Sequence, residues 1–85
     1  MTVEKQMEWL AEFGDVFVSG YDVYDGTGMV TWWTVILHCS YLTETGPEFD
    51  LIESHHQSIG HALQNVMDQF TAKHRSEIKN RNWWR

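Results

Sequence analysis

Apolar residues recur along this chain with two periods, and the switches between them mark out five elements. Val3, Met7, Leu10 and Ala11 fall at i, i+4, i+7 and i+8, which predicts a helix that Gly14 ends. The run VFVSGYDVY at 16–24 is rich in β-branched and aromatic residues and predicts a strand. Asp25-Gly26-Thr27-Gly28 follows as a turn whose glycines accept positive φ. Residues 29–42, MVTWWTVILHCSYL, predict a longer strand. One of its faces (Met29, Trp33, Val35, Leu37, Cys39, Tyr41) is nearly all apolar, while the other (Trp32, Thr34, Ile36, His38, Ser40) is mixed. The apolar face is expected against helices and the mixed face partly in water.

After a loop ending at Pro47, EFDLIE at 48–53 alternates, with Phe49 and Leu51 on one side and Glu48, Asp50 and Ile52 on the other. Ser54-x-x-Gln57 has the form of a capping box at the head of a second helix. Ile59, Leu63, Val66, Met67 and Phe70 mark that helix's inner face, which should run to about Lys73. Beyond it the pattern is lost. The fold class expected is α+β, a single small domain over residues 1–74. Its order is α-β-β-β-α, with a three-stranded antiparallel sheet packed on helices. Residues 75–85 form a basic tail or helix extension.

Charge changes this picture from architecture to partners. Residues 1–68 hold eleven Asp/Glu against Lys5, a net −10, whereas residues 69–85 are net +4, together the −6 of the chain. An acidic body attracts cationic surfaces and repels nucleic acid. Glu4, Glu8 and Glu12 repeat at i, i+4 and i+8, roughly 6 Å apart on one helical face. Asp15 follows them. Glu48 and Asp50 share a strand face roughly 6.6 Å apart. These intervals approach phosphate spacing along a nucleic-acid strand, so the acids are candidates for imitating a polyanion in a basic groove. A solvated helix face is the plain alternative. An ordinary solvated helix interleaves Lys at i+4, and this one repeats Glu.

Five tryptophans in 85 residues add candidate anchors. Trp33 belongs to the core, Trp32 is divided between core and surface, and Trp83 and Trp84 lie in the tail. Folding back or dimerising is the expected use of that pair. No metal is expected, because His55, His56 and His61 include no i, i+4 pair and His38 and Cys39 face opposite ways on a strand. His55 and His56, beside Glu53, are expected to make capping and surface hydrogen bonds. Cys39 reads as an inert core thiol. Asp25-Gly26-Thr27-Gly28 departs from the D-T/S-G order of an aspartic-protease loop, and no Gly-rich phosphate loop precedes a helix. No enzyme activity and no cofactor are therefore expected. The N-terminus lacks a signal-peptide pattern, and the longest apolar stretch is too short for a bilayer. A cytoplasmic protein without membrane contact follows.

The order of elements is similar to that of the double-stranded RNA-binding domain. That family grips phosphates with a basic cluster at the head of its second helix. Here Ser54-His55-His56-Gln57-Ser58-Ile59-Gly60-His61 stands in that place without Lys or Arg, so direct nucleic-acid binding by the body is not expected. In size, acidity and lack of catalytic motif the chain resembles the small inhibitor proteins of phages and mobile elements, anti-CRISPR proteins among them. That resemblance implies occlusion of a nuclease or surveillance complex. Glu4, Glu8, Glu12, Asp15, Glu48 and Asp50 would meet basic residues of the target, with Trp32, Trp83 or Trp84 as apolar anchors. The alternative is a homodimer in which one tail lies on the acidic body of a second copy.

Overall fold

Alternating polarity produces one sheet in this protein, and helical periodicity lays two helices on one side of it. The computed structural model describes residues 1–43 and 45–74. The expected tail at 75–85, with Trp83 and Trp84, lies outside the described residues. The elements are α1 (Val3–Ala11), β1 (Gly14–Tyr24), β2 (Met29–Thr43), β3 (Gly46–His56) and α2 (Ile59–Lys73). The strands form an antiparallel sheet in the order β1-β2-β3. The α+β class and the α-β-β-β-α order are as expected.

Local chemistry accounts for the boundaries. Thr2 caps α1, its Oγ1 accepting the Lys5 N–H at 3.2 Å. The β1–β2 turn closes with the Asp25 N–H donating to the Gly28 carbonyl at 3.1 Å. Asp25 Oδ1 accepts from the Thr27 N–H at 2.9 Å and from its hydroxyl at 2.7 Å. Gly26 takes φ 91° there, a value that penalises any side chain. α2 begins at Ser58, whose side chain accepts the His61 N–H at 3.4 Å. The expected capping box at Ser54 is therefore corrected. β3 runs on to His56, which buries Ser54 inside the strand, opposite Val35.

α1 lies over β1 and against α2, and α2 lies over β2 and β3. The helices run parallel: Gln6 reaches Gly60 and Gln64 at one end, and Trp9 and Phe13 meet Phe70 at the other. Between helices and sheet, Leu10, Val35, Leu37, Cys39, Leu63, Val66 and Phe70 are fully buried. The inner face of α2 and the middle of β2's apolar face, Val35, Leu37 and Cys39, were legible; Met29, expected on that helix-covered row, is instead 58% exposed on the two-stranded part of the hairpin, past the reach of the described helices. The stripe on α1 is shifted from expectation. Gln6 is buried while Met7 and Ala11 face outward, because Phe13 extends the inward row Val3, Gln6, Leu10. The Gln6 amide donates to the Gly60 carbonyl at 3.1 Å and to Gln64 Oε1 at 3.3 Å, which satisfies its buried nitrogen.

The hairpin is longer than its support. β3 pairs with β2 only from Trp33 to Thr43, so residues 21–32 form a two-stranded overhang. β2, at about 3.4 Å per residue, accounts for most of the 52 Å long axis of the molecule.

Candidate interaction surface

Opposite residues in an antiparallel ladder share a face, so the register identifies what the uncovered side of the sheet displays. Phe17 pairs with Ile36 and Ile36 with Glu53; Asp15 pairs with His38 and His38 with Leu51. Tyr21 lies opposite Trp32, and Ser40 opposite Phe49. Phe17 is 56% exposed, Tyr21 44%, Phe49 61% and Leu51 66%. No described element lies over them. The strand β3 therefore turns Phe49 and Leu51 to water and its Asp50 and Ile52 toward the helices. Polar groups on the same face are tied down locally. The His55 Nε2–H donates to Glu53 Oε1 at 2.7 Å, leaving Nδ1 to accept from the Thr34 hydroxyl at 2.9 Å. His38 and Phe49 lie ring against ring with centroids 5.8 Å apart.

The acids expected to act together are divided by the fold. Glu4 and Glu8 are exposed on α1 and Glu12 is exposed at its C-cap; Lys5 Nζ lies 3.6 Å from Glu8 Oε2. Asp15 is exposed at the start of β1, on the open side of the sheet. Glu48 is exposed on β3, at the sheet edge farthest from α1 in the strand order. Asp50 points under the end of α2, where its side chain is 16% exposed. It is paired there. Its Oδ2 accepts from His74 Nε2 at 2.8 Å and meets Lys73 Nζ at 2.8 Å. Asp50 is thus part of a built contact between β3 and α2 rather than of an outward acidic display. Trp32 is half-buried on the open face, and Trp33, on the opposite face, packs over Gly20. Trp83 and Trp84 lie outside the described residues.

Cys39 stands directly across from Asp50 and completes this second cluster. Its thiol is fully buried and donates weakly to the Asp50 carbonyl at 3.6 Å. Burial first, and then the Asp50 carboxylate, push the thiol up to about 11, so it stays protonated at neutral pH. The histidines behave as the sequence suggested: His56 Nδ1 accepts the Ser58 N–H at 2.9 Å and His55 bonds on the surface. His74, missed by sequence reasoning, is 3% exposed and caps α2, its N–H reaching the Phe70 carbonyl at 2.8 Å. Only its place four residues past Phe70, the last periodic position, hinted at that role. Among the described residues no helix is long and apolar enough to cross a membrane. Comparison with protein-family models, with curated proteins and with solved structures finds no match.

Proposed function

We propose that this protein is a non-enzymatic binding module that docks on another protein's basic surface and blocks it, as an inhibitor seated in a nucleic-acid-binding groove does. A CRISPR nuclease or surveillance complex is a target of that kind. The observation that carries this reading is the open sheet face, where Phe17, Tyr21, Phe49 and Leu51 stand in water. An exposed apolar face of this sort, crossed here by the polar row Ser19-Thr34-His55, marks an interaction site on a protein surface. Asp15 and Glu53 stand on the same face, and Glu4, Glu8 and Glu12 add negative charge on α1. A partner with an apolar patch flanked by basic residues fits Asp15 and Glu53 on that face, whereas Glu4, Glu8 and Glu12, on the helix side of the sheet, act through the field of the body, which would speed its approach.

The test compares two variants with the parent: Phe17→Ser/Leu51→Ser on the sheet and Glu4→Lys/Glu8→Lys/Glu12→Lys on α1. Each is assayed for capture of a nucleic-acid-binding target and for release of a labelled duplex from it. The sheet variant should lose capture, and the helix variant should weaken both capture and release, with circular dichroism unchanged. Equal performance by both variants and the parent would sink the reading.

One observation favours a homo-oligomer as the second reading. The described body contains only Lys5 and Lys73 as cationic side chains apart from histidine, while 75–85 brings Arg75, Lys79, Arg81 and Arg85 together with Trp83 and Trp84. That composition suits the open face of a second copy. Light scattering on the whole chain and on one ending at His74 decides the matter: a monomer in both excludes it.

A further inference from the structure

Three different ligand types converge at the end of α2. Cys39 Sγ, a carboxylate oxygen of Asp50 and a ring nitrogen of His74 all lie within 4.8 Å of one another. We propose that these residues bind one zinc-class divalent cation, with Cys39, Asp50 and His74 as ligands and water in the fourth position.

The backbone holds each group in place. Cys39 and Asp50 are direct partners in the β2–β3 ladder, and the sulfur already points at β3, where it donates to the Asp50 carbonyl. His74 is fixed as the C-cap of α2, with its ring packed on Phe70 at a centroid separation of 5.3 Å. Ligands supplied by a ladder and a helix cap need little rotamer ordering on binding. Tetrahedral zinc holds its S, N and O ligands at about 2.0–2.3 Å, which sets them roughly 3.3–3.8 Å apart. The widest separation must therefore close by at most about 1 Å, and the His74–Asp50 contact must open by about half that.

Donor chemistry selects the ion. A thiolate with an imidazole and one carboxylate suits zinc or cobalt, whereas magnesium and calcium demand oxygen ligands. Charge balances as well. One thiolate and one carboxylate neutralise a divalent cation, so the largely buried site carries no net charge when filled. On binding, the Cys39 thiol gives its proton to solvent and the sulfur bonds the metal; the proton that His74 Nε2 shares with Asp50 in the metal-free protein also leaves through solvent exchange, the neutral ring keeping its proton on Nδ1, so that the Nε2 lone pair faces the cation. Lys73 supplies the positive charge beside Asp50 in the metal-free protein; its side chain is 60% exposed and can swing into water when the cation arrives. A filled site would clip the end of α2 to β3 in a domain whose core is small.

The competing account is that Asp50 serves only Lys73 and His74, pinning the helix end. Chelator-treated full-length protein titrated with Co2+ separates the two. The expected result is one equivalent bound, with a near-ultraviolet thiolate-to-cobalt charge-transfer band that Zn2+ bleaches. The histidines at 55, 56 and 61 cannot produce that band, because it requires sulfur. Cys39→Ala should abolish it. Since that variant also opens a core cavity, two further variants carry the test. Asp50→Asn should weaken Co2+ binding at least about tenfold, the scale that even outer-shell changes reach. Lys73→Met, which alters no ligand and removes the competing cation, should keep the band and bind Co2+ more tightly. Absence of the band in the parent, or a Lys73→Met variant that binds no more tightly than the parent, overturns the proposal.

Discussion

Asp50 sits under two opposed influences. Burial favours its neutral form, while hydrogen bonds and charge from Lys73 and His74 favour the ionised form and prevail, so its carboxyl is held below the ordinary carboxylate value. Lys73 and His74 of α2 and Cys39 of β2 are the titratable groups that face it. A depressed native value means that the stabilisation is full above the unfolded value near 3.9 and is lost as pH falls through the native one. In metal-free protein, Asp50→Asn should cost about 1.5–3 kcal/mol at pH 7, the range for a charge-assisted hydrogen bond. The gap to the parent should narrow below about pH 4, as the parent's own carboxyl protonates. Urea melts of both proteins from pH 7 to pH 3 check this, and a gap constant across that range would mean the carboxylate charge contributes nothing.

Among the elements, the β1–β2 hairpin depends on backbone approach as much as on side chains. Gly14 faces Cys39 so closely that an added Cβ would lie 2.1 Å from the His38 carbonyl oxygen and 2.8 Å from the Cys39 Cα. Both are backbone atoms, so no rotamer change relieves the clash. Gly14→Ala should force the start of β1 off β2 and cost about 3 kcal/mol or more, at the upper end for single substitutions. Gly26 supplies the contrast. Its φ is 91° but nothing lies within 4 Å of an added Cβ, so Gly26→Ala should cost only about 1 kcal/mol. Paired denaturant melts test the order of the two, and an equal loss would show that the turn rather than the close approach sets the register. Among the described residues the overhang beyond Gly20 has no third strand, and two strands alone are marginal in water. Amide exchange should therefore be faster at 21–32 than in the three-stranded part.

At the scale of the molecule, the described residues seal one side of the sheet with two helices and leave the other open. Phe49 and Leu51 contribute to no core, so Phe49→Thr/Leu51→Thr should change stability by no more than about 0.5 kcal/mol per site. The same double variant should bind less of an apolar dye and stay soluble to higher concentration. A large loss of stability instead would mean that this face is covered in the native protein. The helix-facing residues of β2 and α2 were legible in the sequence because each follows a single period for several turns or pleats: Val35, Leu37 and Cys39 on one, Leu63, Val66 and Phe70 on the other. β3 was only half legible. Its alternation was plain, yet period two cannot say which side faces inward, and here Asp50 and Ile52 do while Phe49 and Leu51 do not. The α1 stripe was misplaced for a related reason, since an amide at Gln6 counts as polar until its partners at Gly60 and Gln64, more than fifty residues away, are known. By itself the sequence determined the order of elements, the turn at Asp25–Gly28 and the acidity of the body, all of which rest on local propensity and composition. Only the tertiary structure decided that Glu4, Glu8 and Glu12 lie at the other edge of the sheet from Glu48, that Asp50 turns inward, and that Cys39, Asp50 and His74 meet. Those are contacts between distant segments, set by ladder register and helix placement, and no local pattern encodes them.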